Sequence, residues 1–128
     1  MNGSERFRRA YAAFVAGDLD AALESMAGDV RMVNPEYALD SGVREGFAGL
    51  RAALEGLYNE FEFDAIDVEE VVEGPDVAVV MVEVRARGRQ SGVPMNQRFA
   101  HVWRFRGGQV VSYEWFLSRE EGLAAAGL

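Results

Sequence analysis

The closing third of the chain contains the segment MNQRFAHVWRFRGGQVVSYEWFL at residues 95–117. On both sides of Gly107-Gly108, large apolar side chains alternate with polar ones. A period of two around a glycine pair predicts two antiparallel strands joined by a tight turn. The first strand, residues 95–106, carries the only histidine of the chain, His101. The hairpin therefore predicts a sheet in which an ionisable group lies on an aromatic face.

Two registers of this hairpin are open. A two-residue loop would pair Trp103 with Ser112 and direct Glu114 to the face of His101. A three-residue loop with a bulge would instead pair Trp103 with Val111. One residue of slip moves every side chain of a strand to the other face. We favour the second register, which collects the bulky side chains on one surface: Phe99, His101, Trp103, Phe105, Tyr113, Trp115 and Leu117.

The segments before the hairpin predict helices first and strands later. Apolar residues recur at helical spacing in three places, and β-branched residues dominate residues 77–87. Residues 77–82 are apolar at every position, which is typical of a central strand covered on both faces. The predicted order is two helices over residues 4–28, a strand at 30–33, a loop at 34–45, a helix over 47–58, four long antiparallel strands, and a terminal helix that Ser118 and Glu121 cap. Asp18 is predicted to cap the second helix and Gly28 to end it.

This order predicts an α+β fold in a single domain, residues 1–128. A cone-shaped, curved antiparallel sheet would wrap around one long helix, with bulges supplying the bend. Such a half-barrel leaves a pocket between the helices and the concave face of the sheet, which suits a hydrophobic small molecule.

Composition narrows the available chemistry. The chain has no cysteine and no lysine, and the 13 lysine-plus-arginine positions are all arginine. Thiol nucleophiles, cysteine-ligated metals and Schiff-base lysines are therefore excluded. One histidine cannot supply a site of two or three histidines, so we expect no metal and no cofactor.

Charge and hydropathy bear on partners and compartment. A net charge of −8 opposes the electrostatic attraction that drives nucleic-acid binding, so no nucleic-acid partner is expected. The apolar run at residues 77–82 is far shorter than the roughly 20 residues of a membrane span. We expect no membrane partner and a cytoplasmic location.

Three segments resemble a known family. They are AGDLDAAL at residues 16–23, GDV at 28–30 leading to Asn34-Pro35, and HVWRFRGGQVV at 101–111. The first two resemble the start of nuclear-transport-factor-2-like domains, and the third resembles the closing hairpin of their SnoaL-like and ketosteroid-isomerase-like branch. The likeness covers nearly the whole chain and implies the cystatin-like α+β roll. It is weak evidence for activity, because this fold hosts isomerases, cyclases, hydrolases, dehydratases and non-catalytic modules.

The resemblance to ketosteroid isomerase is incomplete at the catalytic positions. That enzyme uses an aspartate base with an oxyanion hole of a tyrosine and a protonated aspartic acid. By resemblance the base falls at Asn34, the acid at His101, and the tyrosine at Tyr11, one position out of step. Asparagine cannot accept a proton at neutral pH. The resemblance therefore implies that steroid isomerisation by the usual route is lost.

His101 is the main catalytic candidate, because its ordinary pKa of about 6.5 suits general acid–base work or hydrogen-bond donation to an oxyanion. Tyr113 and Asp40 are the catalytic candidates that would assist it, and Asp40 is the nearest substitute for the missing base. The alternatives are a core histidine with satisfied hydrogen bonds and a solvated loop aspartate. The expected ligand-binding residues, for which ordinary core packing is the alternative, are Tyr11, Phe14, Asn34, Tyr37, Phe99, Trp103 and Trp115.

These features predict a SnoaL-like protein that binds a small hydrophobic carbonyl compound, with two readings of its activity. It is either an isomerase- or cyclase-type enzyme acting by proton transfer, or a non-catalytic binding or association module. By resemblance, the arginine-rich outer face of the sheet is expected to form a homodimer interface.

Overall fold

The structure, a computed structural model, describes residues 3–35 and 42–128. Within those residues the chain forms helices and strands in the order of an α+β domain. They are α1 (Gly3–Val15), α2 (Leu19–Ala22), β1 (Met26–Asn34), β2 (Gly42–Glu45), α3 (Gly46–Glu60), β3 (Phe61–Gly74), β4 (Val77–Gly88), β5 (Pro94–Arg106), β6 (Gln109–Phe116) and α4 (Arg119–Ala126).

The strands form one sheet in the order β2-β1-β6-β5-β4-β3. β1 runs parallel to β6, and every other neighbouring pair is antiparallel. Register shifts in β3, between Phe63 and Ala65 and between Val68 and Glu70, bend the long strands as bulges do. The sheet is curved and does not close, and α1 and α3 lie on its concave face. The predicted α+β roll is confirmed.

β4 shows why residues 77–82 are apolar at every position. The even-numbered residues of 78–84 pack with Phe7 and Tyr11 of α1. The odd-numbered residues of 77–81 pack with Leu123 and Ala126 of α4 on the other side of the sheet. The strand is therefore covered on both faces, as predicted.

The predicted helix caps at Asp18 and Ser118 are confirmed. The Asp18 carboxylate accepts from the backbone N–H of Ala21 at 3.2 Å, and the Ser118 hydroxyl accepts from that of Glu121 at 3.1 Å. Each such cap stabilises its helix by about 1 kcal/mol. The caps fix where α2 and α4 begin.

The predicted helix boundary at Gly28 is wrong. α2 ends at Ala22, and Gly28 lies inside β1. β1 begins at Met26 because it pairs in parallel with β6, where Met26 lies opposite Val110. A long-range pairing of this kind leaves no signal in the local helical period.

The predicted loop at residues 34–45 contains a strand at its end. Gly42–Glu45 forms β2, which pairs antiparallel with β1 so that Arg31 faces Glu45 and Asn34 faces Gly42. All four residues of β2 are exposed. An edge strand that buries neither face has no alternation of apolar and polar residues, so the sequence gives no sign of it.

None of the described helices is long and apolar enough to cross a membrane.

Candidate functional site

The closing hairpin has the two-residue turn of the first predicted register. Its side chains, however, face as the second, favoured register predicts. Arg106 pairs with Gln109 across a two-residue Gly107-Gly108 loop, whose two glycines both have positive φ. Beyond Val110 the register shifts by one residue, because Val111 is extra in β6. This bulge pairs Trp103 with Tyr113, so neither predicted pairing of Trp103, with Ser112 or with Val111, occurs.

The bulge places the aromatic residues of both strands on one face, as the favoured register required. His101 pairs with Trp115, and Trp103 pairs with Tyr113. Glu114 pairs with Val102 on the opposite face, and Leu117 lies beyond the strand and is exposed. We call the resulting group the aromatic face: Phe99, His101, Trp103, Tyr113 and Trp115.

Rings of the aromatic face contact one another closely. The ring centroids of Trp103 and Tyr113 lie 4.5 Å apart, and those of His101 and Tyr113 lie 5.1 Å apart in an edge-to-face arrangement. Phe99 stacks on His101 at 5.9 Å and meets Trp115 edge-to-face at 5.6 Å. Such contacts each add roughly 0.5–1.5 kcal/mol beyond area burial and hold the rings in fixed orientations.

Tyr11 of α1 connects two residues of this face. Its hydroxyl oxygen lies 2.7 Å from Nδ1 of His101 and accepts a hydrogen bond from Nε1 of Trp103 at 3.0 Å. Tyr11 and His101 are each only 7 % exposed. The helix thus presents one hydroxyl to two residues of β5 inside the core.

Burial controls the protonation of these groups. It lowers the pKa of His101 from 6.5 to about 3, and no charged side chain of the described residues contributes to that shift. Burial also raises the pKa of Tyr113, and burial followed by the proximity of Tyr113 raises that of Tyr11. His101 is therefore neutral at physiological pH and does not keep the ordinary pKa expected from the sequence, because burial disfavours the charged imidazole.

Two polar atoms of the aromatic face have no hydrogen-bond partner within the described residues: Nε2 of His101 and the hydroxyl of Tyr113. No side-chain N or O atom of the described residues is both without a partner and shut off from solvent. These two atoms therefore keep some exposure to solvent, although His101 as a whole is buried.

Asn34 lies at the end of β1, where the parallel pairing with β6 places Val33 opposite Glu114. Its Oδ1 accepts a hydrogen bond from Nε1 of Trp115 at 2.8 Å. Met32, two residues earlier on the same face of β1, is buried opposite Tyr113. The sequence analysis missed Met32, since only the parallel β1–β6 pairing brings it to this face.

The remaining predicted site residues divide into two groups. Phe14 is buried beside α3 and β3, stacked on Tyr58 at 4.9 Å and edge-to-face with Phe63 at 5.0 Å, which is a core position. Tyr37 and Asp40 lie outside the described residues. Their assigned roles, like the catalytic and ligand-binding roles of the residues described above, stay predictions.

The described residues contain no group of three or more His, Asp or Glu side chains placed to hold a metal ion. Two surface depressions of the described residues lie away from His101. One, of about 270 Å³, is bordered by Arg6, Glu73 and Phe105, and another, of about 480 Å³, by Asp29, Arg31 and Glu45. The predicted pocket over the concave face stays a prediction.

Solved structures of similar fold cover nearly the whole chain. A nuclear-transport-factor-2-like protein of unknown function from Burkholderia pseudomallei is 26 % identical over 97 % of this chain and 96 % of its own, with a TM-score of 0.78. TerC, co-crystallised with polyporic acid, is 25 % identical over 92 % of both chains, with a TM-score of 0.76. A ketosteroid-isomerase-like protein from Catenulispora acidiphila, in complex with trimethylamine, is 16 % identical over 99 % and 95 %, with a TM-score of 0.78, and shows the fold alone.

No curated protein sequence matches the chain. The family model of the SnoaL-like domain matches residues 7–113, which include most of α1, the sheet as far as Tyr113 and most of the aromatic face. The chain therefore belongs to the SnoaL-like domain family.

Proposed function

We propose that this SnoaL-like protein binds a small hydrophobic carbonyl compound against the aromatic face. The observation that carries the proposal is a pair of neutral polar groups, His101 Nε2 and the Tyr113 hydroxyl, set among aromatic rings and without protein partners in the described part of the chain. Ligand sites commonly consist of an apolar wall with a few such oriented polar groups.

The chemistry of the two groups favours an oxygen ligand. Burial keeps Tyr113 protonated, so its hydroxyl donates a hydrogen bond at neutral pH. A carbonyl oxygen has two lone pairs and can accept from Tyr113 and from His101 together. If negative charge develops on that oxygen, the same donors stabilise it, as an oxyanion hole does.

Proton transfer requires a base as well as an oxyanion hole. The aromatic face contains no carboxylate, and His101, with its pKa lowered to about 3, is too weak a base at neutral pH. Asp40 is the residue that we assign to this role. In that case the protein catalyses enolisation of the bound carbonyl compound.

The binding proposal is tested with 1-tetralone, a bicyclic ketone, and intrinsic fluorescence. The chain has two tryptophans, Trp103 and Trp115, and both lie on the aromatic face, so their emission reports on this site. We expect a saturable change on titration and at least about fivefold weaker binding for His101→Phe, the effect of one lost hydrogen bond.

The matched control is Phe116→Leu. Phe116 lies on the same hairpin but packs on the α4 side of the sheet, opposite Ala100. It should leave the affinity for 1-tetralone unchanged. Absence of saturable binding by the wild-type protein, or equal affinity of wild type and His101→Phe, would overturn the proposal.

A non-catalytic binding module is the second candidate, because the described residues place no carboxylate on the aromatic face. Exchange of the hydrogens next to the carbonyl of 1-tetralone, followed by ¹H NMR in D₂O, separates the two. A catalytic protein accelerates the exchange, and Asp40→Asn slows it by roughly 10²-fold or more. A wild-type protein that binds 1-tetralone without accelerating the exchange is a binding module.

The proposal includes a homodimer formed through part of the outer face of the sheet. α4 covers the apolar part of that face, around Val79 and Ala100. The uncovered part, which we call the charged outer patch, contains Asp67, Glu69, Glu83, Arg85 and Arg98. Opposite charges alternate within it, so that a copy related by a two-fold axis can exchange ion pairs with it.

A further inference from the structure

We infer that Tyr11 is a positioning residue that fixes His101 as the tautomer with its proton on Nε2, and that this selects ligands with a hydrogen-bond acceptor. The inference rests on the proposed function for its ligand, but its first half concerns the protein alone. It changes the role of Tyr11, which the sequence analysis placed in contact with the ligand.

The direction of one hydrogen bond is known from chemistry. An indole N–H can only donate, so the contact of 3.0 Å between Nε1 of Trp103 and the Tyr11 oxygen uses a lone pair of Tyr11. Tyr11 has a single proton to give, and within the described residues its remaining hydrogen-bond contact is Nδ1 of His101.

Two arrangements of the Tyr11–His101 contact are conceivable, and they differ in cost. If Tyr11 donates, the Trp103 N–H, the Tyr11 hydroxyl and Nδ1 of His101 are all satisfied. If Nδ1 carries the proton and donates, the Tyr11 proton loses its only acceptor at a position that is 7 % exposed. A buried unsatisfied donor is unfavourable, so the first arrangement prevails.

The length of the contact agrees with this direction. The Tyr11 oxygen and Nδ1 are 2.7 Å apart, which is typical of a hydroxyl donor and shorter than the usual N–H contact. Donation from Trp103 also polarises the Tyr11 hydroxyl, which strengthens it as a donor to His101.

The consequence lies on the other side of the imidazole ring. A neutral imidazole that accepts at Nδ1 carries its proton on Nε2, the atom without a partner in the described residues. The imidazole then offers a donor and no acceptor, and the Tyr113 hydroxyl can donate beside it. A carbonyl, enolate or phenol oxygen can accept from both groups, whereas an N–H group in the same place finds an acceptor only in the Tyr113 oxygen.

The tautomer is measurable without any ligand, because the chain has one histidine. A long-range ¹H–¹⁵N correlation spectrum of the ¹⁵N-labelled protein shows a single pair of ring nitrogens. We expect Nε2 to be the protonated, pyrrole-like nitrogen and Nδ1 the unprotonated one. A protonated Nδ1 in the wild-type protein overturns the inference.

Two variants separate positioning from mere packing. Tyr11→Phe keeps the ring and removes the hydroxyl, so that a fraction of His101 is expected to carry the proton on Nδ1. Tyr113→Phe removes the hydroxyl of the other tyrosine whose ring contacts the imidazole and should leave the tautomer unchanged. If Tyr11→Phe does not fold, the wild-type spectrum still decides between the tautomers.

Ligand selectivity tests the second half. The matched probes are 1-tetralone, an acceptor, the hydrocarbon tetralin, and tetrahydroquinoline, which offers an N–H in the same bicyclic frame. Wild type is expected to bind 1-tetralone at least about fivefold more tightly than either of the others, and Tyr11→Phe to reduce this ratio. Equal binding of 1-tetralone and tetrahydroquinoline overturns the selectivity.

The outcomes distinguish this inference from the proposed function. A protonated Nε2 without binding of 1-tetralone leaves the tautomer assignment intact and rejects the carbonyl ligand. Binding of 1-tetralone with a protonated Nδ1 supports the ligand and rejects the role of Tyr11.

Discussion

The indole N–H of Trp115 donates to Oδ1 of Asn34 over 2.8 Å, and this contact fixes the orientation of the Asn34 amide. Because an indole nitrogen cannot accept, the amide oxygen of Asn34 must face Trp115 and the amide nitrogen must face away. A carboxylate at position 34 could accept the same hydrogen bond with one oxygen and would add a second oxygen that can take up a proton, which the amide cannot.

Asn34→Asp is therefore expected to add proton-abstracting activity without disturbing the aromatic face. Exchange of the hydrogens next to the carbonyl of 1-tetralone should accelerate by about 10²-fold, the lower end of what a positioned general base contributes. ¹H NMR in D₂O measures it. Asn34→Ala, which has no base and loses the Trp115 contact, is the control. A folded Asn34→Asp protein with the wild-type rate would contradict the prediction.

Stability is expected to fall in mildly acidic solution because of His101. Its pKa is about 3 when folded and about 6.5 when unfolded, so the unfolded chain takes up a proton first as the pH falls. Above about pH 6.5 the buried, neutral His101 makes its full contribution to the free energy of unfolding. As the pH falls from there towards 3, the free energy of unfolding decreases by about 1.4 kcal/mol per pH unit.

Urea unfolding of wild type and His101→Phe at two pH values isolates this effect from other titrating groups. Between about pH 6.5 and pH 5 the free energy of unfolding of wild type should fall by roughly 2 kcal/mol more than that of the variant. A difference between the two proteins that does not change with pH would show that His101 is not held neutral by burial.

Gly122 is expected to tolerate no side chain, because α4 packs there directly on the outer face of the sheet. A Cβ at this position would lie 2.7 Å from Cβ of Ala100 and 3.2 Å from Cγ1 of Val79. Overpacking of this kind costs roughly 1–3 kcal/mol, which outweighs the helix propensity gained by alanine. Gly122→Ala should lower the melting temperature.

Gly56→Ala is the matched control in α3. A Cβ at Gly56 meets no atom within 4 Å, so only the helix propensity changes and stability should rise by up to about 1 kcal/mol. Thermal melts of the two variants should therefore move in opposite directions. An increase for both would mean that α4 does not sit tightly on the sheet.

The charged outer patch predicts a dimer that depends on its arginines. Light scattering coupled to size-exclusion chromatography should give about twice the chain mass of 14.1 kDa. Arg85 and Arg98 form ion pairs of 2.7 and 2.9 Å with Asp67 and Glu69, and reversing both arginines to glutamate leaves like charges facing each other. The double variant should be monomeric. A wild-type monomer at high concentration would exclude this interface.

Helices, long strands and the two caps follow from local patterns, and the structure confirms them. Features that depend on pairing between distant segments do not. β2 has no buried face, and the parallel β1–β6 pairing, which brings Asn34 to Trp115, leaves no trace in either segment.

The candidate site shows the same limit. Tyr11, His101 and Trp103 could each be picked out as residue types on the appropriate faces. Their hydrogen-bond chain joins α1 to β5, which lie about 90 residues apart in the sequence. The burial that lowers the pKa of His101 likewise depends on segments that are distant in the sequence. Neither the partner of an imidazole nor its desolvation is visible in the spacing of residues along one strand.

The bulge at Val111 also decides which side chains of β6 face His101. If β6 paired with β5 regularly from the turn onward, with Val111 opposite Arg104, Ser112 would lie opposite Trp103 and Glu114 opposite His101, and Tyr113 and Trp115 would turn to the α4 side. No side chain of the site would have been substituted, yet its whole wall would be exchanged. One irregular pairing therefore separates an aromatic wall from one that carries a carboxylate, with the amino-acid composition unchanged.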